Sequence, residues 1–222
     1  MKLPPRAAFA ALALAFALAG CSSAPQSLYG KYFQIARQAW SAQFGDQRIT
    51  RAQAAAISYA SMGFRINGGR QQIIVLATDS GGEMVWTAAS RIVLATRNGR
   101  LWRSVGLPHD LGNTTAPGTL PPPAQAMTAP FRSVRQMDFP DAGLYGVTLT
   151  CSAVLRGRVS ISILGATIPT ARVDESCRAS GTAWSFTDSF WIDPQTGMVW
   201  EANLHVHPSG QTLQTQILRP PG

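Results

Sequence analysis

The chain has 222 residues, 45% of them hydrophobic and 14% charged, with a mean hydropathy of +0.03. That balance excludes a disordered chain and a multispan membrane protein, and the length suits a single domain. Nineteen Lys plus Arg against eleven Asp plus Glu give +8, but Lys31 is the sole lysine after Lys2, so the excess reflects an Arg-heavy composition more than a polyanionic partner.

Lys2 and Arg6 precede the thirteen-residue apolar run Ala7 to Ala19. A run of that length suits a signal peptide and is short of the roughly 20 residues that cross a bilayer. Leu18-Ala19-Gly20-Cys21 then reads as a bacterial lipobox, which assigns 1–20 to the signal peptide and Cys21 to lipid attachment. Acyl chains contribute about 0.8 kcal/mol per buried methylene, and two or more hold a protein stably on a membrane. Ser22 in place of Asp points to the outer membrane, with the body on its periplasmic face.

Ser27 caps an expected helix whose Tyr29, Tyr32, Phe33, Ala36, Trp40 and Phe44 share a face and which ends near Gly45. From Ile57 the pattern turns to short runs rich in Val, Ile, Trp and Thr: 57–66, 71–78, 83–88, 91–96 and 100–105. Asn67-Gly68-Gly69 and Asn98-Gly99 supply tight hairpin turns, so these five strands are expected to form an antiparallel meander. The Pro-rich segment at about 112–130 reads as a solvated loop. A second set follows at 131–139, 144–155, 159–168, 172–176, 183–192, 198–206 and 212–218, with Asp193-Pro194-Gln195-Thr196-Gly197 as a turn between neighbours.

About twelve short strands with no alternating helices define an all-β fold, and closing them removes exposed edges. The expectation is an antiparallel meander barrel over 21–222, closed or nearly closed and lipocalin-like, with one N-terminal amphipathic helix. With Cys21 set aside, Cys151 and Cys177 remain as an even pair in an oxidising compartment, where a disulfide is the default.

Tyr59-Ala60-Ser61, Arg65-Ile66 with Gly68-Gly69, Ile73 to Leu76, Val85-Trp86, Thr96-Arg97-Asn98-Gly99-Arg100, Gly106-Leu107-Pro108 and the run Phe190 to Trp200 stand in an order that resembles the YjbF/GfcB lipoproteins. The resemblance runs from the lipobox to about residue 204. It implies a β-barrel and a place in exopolysaccharide or group 4 capsule formation, with no particular reaction attached. At Glu201-Ala202-Asn203-Leu204 this chain departs from the family's Ser and Gln, so no role of that pair is carried across.

No Gly-x-Ser-x-Gly elbow, His-Glu-x-x-His or phosphate-binding glycine loop occurs, so neither a cofactor nor catalysis is expected. His205 and His207, two apart on a strand, share a face but lack a third ligand nearby, His109 being distant in sequence, so no metal site is expected. Asp188 and Asp193 would suit the acid pair of a glycan-cleaving enzyme, although Asp193 is better explained by its turn. Trp86, Trp184, Trp191 and Trp200 read mainly as core. Arg91, Arg97, Arg100 and Arg103, with Trp102, form the candidate contact for an anionic polysaccharide, lipopolysaccharide or lipid phosphate, against the alternative of a solvated hairpin face.

The leading expectation is therefore a non-catalytic outer-membrane lipoprotein of exopolysaccharide or capsule assembly or export. Its expected partners are the membrane through its anchor, anionic glycan and other export proteins, and the compartment excludes nucleic acid. A carrier of lipid in a barrel cavity and a polysaccharide-modifying enzyme are the alternatives.

Overall fold

The computed structural model describes residues 48–222. The leader, Cys21 and the amphipathic helix expected at 27–45 lie outside the described residues. A five-residue helix, α1 (Arg51–Ala55), opens the described part. Thr50 caps it, its side chain accepting from the Gln53 backbone while the Gln53 side chain accepts from the Thr50 N–H.

Twelve strands follow: β1 (Ser61–Ile66), β2 (Gln72–Ser80), β3 (Glu83–Thr87), β4 (Val93–Arg97), β5 (Arg100–Val105), β6 (Asn113–Thr115), β7 (Phe131–Phe139), β8 (Leu144–Ile163), β9 (Ala166–Ala179), β10 (Ser185–Ile192), β11 (Val199–His205) and β12 (Thr212–Arg219). They form one antiparallel sheet in the order β5-β4-β3-β2-β1-β12-β11-β10-β9-β8-β7-β6. Pairing of β1 with β12 joins the two meanders, so the sheet curls into a nearly closed barrel. Its seam lies between β5 and β6, where the Ser104 N–H donates to the Leu111 carbonyl at 2.8 Å and the Leu111 N–H donates to Ser104 Oγ at 2.9 Å. The Asp110 carboxylate fastens that corner by accepting from Ser104 Oγ and from the Gly106 and Leu107 N–H groups.

The hairpin turns form for the expected reason. Asn98 and Gly99 have φ of 51° and 79°, and Asn67 and Gly68 have 50° and 69°, values that Asn and Gly tolerate best. Gly99 is needed for space as well, since a β-carbon there would lie 2.7 Å from the Val199 side chain.

Two expectations are corrected. The strands placed at 144–155, 159–168 and 172–176 are two long ones, with the turn at Leu164-Gly165. Gly157, with φ of 140°, makes a bulge where the β8–β9 register shifts, and the pairing then runs on to Ile163 and Ala166. The Pro-rich segment is also more than a loop: it contains β6 and a 3-10 turn at Pro123–Met127 that buries Pro123 and Ala126.

Alternation fills the interior. Along β7, Ser133, Arg135, Met137 and Phe139 are buried while Arg132, Val134 and Gln136 are exposed. Trp86, Phe64, Phe139, Phe190, Ile74, Leu94 and Leu149 are each less than 2% exposed. Cys151 and Cys177, directly opposite on β8 and β9, form a disulfide, which by the chain-entropy account contributes about 3.5 kcal/mol. At the hairpin tip, Arg51 of α1 donates from Nε and Nη2 to the Leu164 carbonyl.

Candidate functional site

Three polar assemblies stand out against this core, and only the first faces solvent broadly. On the outer face of β7 to β10, cross-strand pairing sets Arg132, Ser152, Ser176 and Thr187 in one row. Val134, Thr150, Arg178 and Ser185 make the next. Neighbouring strands lie about 4.8 Å apart and alternate residues about 6.8 Å apart along a strand, so the rows form a regular lattice of hydroxyl and guanidinium groups. They border an open groove of about 510 Å³ over the disulfide, lined by Arg132, Arg178 and five Ser or Thr residues and by no acid. Ser176 Oγ and Thr187 Oγ1 are 3.0 Å apart, so part of the lattice is already hydrogen-bonded. Among the described residues, neither the Arg132 nor the Arg178 side chain has an ion pair or hydrogen bond. An outward guanidinium with its donors unspent suits a carboxylate or phosphate in bidentate geometry, and flanking hydroxyls suit a polyhydroxylated chain.

The second assembly is inside the barrel. Glu175 of β9, wholly buried, receives Arg100 Nε and Nη2 at 3.0 and 2.8 Å and Arg135 Nη1 at 2.8 Å. Arg100 Nη1 also donates to the Pro121 carbonyl at 2.8 Å, which ties the Pro-rich segment to the interior. Burial works against ionisation of Glu175, but the charges and hydrogen bonds of Arg135 and Arg100 prevail and hold its pKa at about 2. Asp188 of β10 lies 3.7 Å from Arg135 Nη2 and accepts from the His205 N–H at 2.7 Å. Burial pushes its carboxyl above the ordinary value, against the hydrogen bond from His205 and the charge of Arg135. Two arginines thus meet two acids, and the desolvated charges compensate one another.

The third assembly sits at one end of the barrel. His109 in the β5–β6 connection, Asp141 in the β7–β8 connection and His207 in the β11–β12 connection come together. His109 Nδ1 is 2.7 Å from Asp141 Oδ2, and His207 Nε2 is 3.2 Å from Asp141 Oδ1. The two imidazoles stack with centroids 4.5 Å apart, and His207 stands edge-on to Phe139 at 5.1 Å. Phe139 in turn meets Trp184, Trp184 meets Phe186 and Phe186 meets His205, so a chain of rings links this end to His205.

The residues singled out from sequence fare differently. Arg100 does not belong to an outer basic face: it is 3% exposed and spent on Glu175. Arg97 and Arg103 both pair with Glu83, and the Arg97 guanidinium lies 4.3 Å over the Trp102 ring. Glu83 is partly buried, which works against its charge, but hydrogen bonds from Arg103 and Arg97 hold its pKa below the usual carboxylate value. Arg91 is exposed at the β3–β4 turn with φ of 63°. The register of β4 with β5 shifts between Ala95 and Thr96, so simple alternation along β5 does not carry across Trp102. His205 and His207 do not converge, because His205 turns to Asp188 and His207 to Asp141. Asp193 accepts from the Gln195 and Thr196 N–H groups and is committed to its turn.

The family model for the group 4 capsule polysaccharide lipoprotein GfcB, YjbF, matches residues 35–218. The chain belongs to the YjbF family. The lipoprotein GfcB of Escherichia coli (strain K12) is 25% identical over 207 residues, spanning 91% of this chain and 94% of the relative. The crystal structure of the lipoprotein YmcC from Escherichia coli (K12) is similar with a TM-score of 0.69 and 22% identity, covering 80% of this chain and 92% of that one. That likeness confirms the barrel fold. The YjbF match spans β1 to β11 and nearly all of β12, so the groove, the buried acids and the His–Asp cluster all lie within it. Sequence reasoning missed the groove. Its signal was present in the alternate positions Thr150, Ser152, Ser176, Arg178, Ser185 and Thr187, which are the polar half of each strand.

Proposed function

We propose that this protein is a non-catalytic glycan-binding lipoprotein of exopolysaccharide or group 4 capsule assembly or export. It is held by acylated Cys21 on the periplasmic face of the outer membrane, beside the export proteins that handle the same polymer. The groove of Arg132 and Arg178, set among hydroxyls with no acid in its lining, carries this reading, because it offers cationic forks without a competing carboxylate. The ligand class that fits is an acidic polysaccharide chain lying across β7 to β10. Among the described residues the interior carries large buried side chains such as Trp86, Phe64, Phe139 and Phe190 together with the Arg100–Glu175–Arg135 cluster, which argues against a lipid carrier that needs an apolar cavity there. The buried acids argue against a hydrolase, since Glu175 is neutralised by two arginines out of reach of a polymer. Deletion of the gene is expected to reduce surface polysaccharide, with restoration by the wild-type gene. A Cys21→Ser copy is expected to leave the membrane fraction and to restore polymer poorly. Normal polymer on the deletion strain contradicts the pathway, and a membrane-bound Cys21→Ser protein contradicts the anchor.

A further inference from the structure

We propose that His109, His207 and Asp141 form a binding site for a borderline divalent transition metal of the Zn²⁺ class at the end of the barrel that carries the β5–β6, β7–β8 and β11–β12 connections. Their ligand atoms, two imidazole nitrogens and a carboxylate, all lie within 4.8 Å of one another. Ligands about 2.0–2.1 Å from a tetrahedral zinc are roughly 3.3 Å apart; the 3.2 Å from His207 Nε2 to Asp141 Oδ1 matches that value, and the 2.7 Å hydrogen-bond contact of His109 Nδ1 with Asp141 Oδ2 opens to admit the ion. Two His and one carboxylate leave coordination positions open, and imidazole selects Zn²⁺, Cu²⁺ or Ni²⁺ over Ca²⁺ or Mg²⁺.

An independent observation points to a missing ligand. The Nε2 of His207 is buried and has no hydrogen-bond partner among the described residues, because Asp141, although within ion-pair reach, is not aligned with it. The supporting shell is already built. Ser209 meets His207 Nδ1 with its Oγ at 2.7 Å and its N–H at 3.0 Å. With a metal on Nε2 the ring proton sits on Nδ1, and Ser209 Oγ is placed to accept it, as outer partners of metal-bound histidines do. In the metal-free protein the Ser209 N–H donates to Nδ1, so binding includes a tautomer exchange in which that N–H gives up its acceptor and turns away. Gln211 grips the His109 backbone at both groups, accepting from its N–H at 3.0 Å and donating to its carbonyl at 2.7 Å. Phe139 backs His207 from within.

His207 is therefore the fixed ligand. The His109 side chain, 43% exposed, is the one that turns out of its stack to aim Nδ1 at the ion. Because His109 lies in the connection between the two edge strands, the ion would clasp the barrel beside its seam.

The test uses the full-length protein, purified in detergent without a polyhistidine tag and stripped with chelator, then titrated with Zn²⁺. One Zn²⁺ per chain is expected to bind saturably and to raise the melting temperature. His109→Ala and Asp141→Asn change half-exposed surface residues and are expected to fold. Each is expected to weaken Zn²⁺ binding by about 10- to 100-fold or more and to abolish the thermal shift, while His205→Ala behaves as wild type. Absence of saturable binding, or equal binding by His109→Ala and Asp141→Asn, overturns the site.

Discussion

Arg97 and Arg103 on the β4–β5 hairpin both end on Glu83, and Arg100 beside them is buried against Glu175. Arg132 and Arg178, on β7 and β9, end on no protein partner among the described residues. The hairpin has the higher density of arginines along the sequence, and the groove has the available ones. What decides is the residue opposite on the neighbouring strand: Glu83 pairs directly with Arg97, whereas Arg132 faces Ser152 and Arg178 faces Thr150 and Ser185. Charge along a strand therefore says little about recognition until cross-strand partners are known.

The largest effect tests the spent arginines. Glu175→Gln leaves Arg100 and Arg135 buried without their shared counter-charge, and is expected to cost about 3–5 kcal/mol in urea denaturation. A change below about 1 kcal/mol would show that the buried charges are not coupled as described. The same residue sets a pH dependence. Its folded pKa of about 2 lies below the ordinary 4.5, so its contribution is complete above the ordinary value and is lost as pH falls from there toward 2. Asp188, with a raised pKa, acts in the opposite sense: its contribution is present at low pH and is lost as pH rises through its folded pKa. The Glu175→Gln variant is expected to show a shallower acid limb than wild type.

Next in size, replacing both Cys151 and Cys177 with Ala is expected to cost about 3.5 kcal/mol, the chain-entropy contribution of a loop of this length. Because the groove is built over that bridge, binding of acidic polysaccharide should weaken along with stability. Loss of stability with undiminished binding at low temperature would separate the groove from the staple beneath it.

Smaller in stability but sharper for the comparison, Arg132→Ser with Arg178→Ser is expected to change unfolding by less than about 0.5 kcal/mol. The pair is expected to lower affinity for acidic polysaccharide at least about tenfold, through loss of two charge-assisted contacts. The smallest effect belongs to Arg97→Ser with Arg103→Ser. These exposed ion pairs contribute about 0–1 kcal/mol, and polysaccharide affinity is expected to stay within about twofold, read by the same titration. A larger loss there than in the groove would reverse the comparison.

Much of the fold was legible because local chemistry and tertiary structure agree. Asn67-Gly68 and Asn98-Gly99 could be read as hairpin turns from residue type alone, and the two downstream cysteines meet across paired strands. The failures have physical causes. Gly157 resembles a turn residue but makes a bulge within a 20-residue strand. Strand β6 is hidden among prolines because its pairing with β7, rather than its own propensity, makes it a strand. Arg100 looked like its neighbours Arg97 and Arg103, and only the curvature of the sheet brings it to Glu175, 75 residues away. The end cluster was out of reach for the same reason: His109, Asp141 and His207 sit in three connections that no spacing rule links.

The most direct measurement is isothermal titration of the full-length protein, in detergent, with the purified acidic exopolysaccharide of its own cells, comparing wild type with the Arg132→Ser/Arg178→Ser double variant. The account predicts salt-sensitive binding by wild type and at least about tenfold weaker binding by the folded double variant. Equal affinity of the two proteins, or no binding by wild type at low salt, would contradict it.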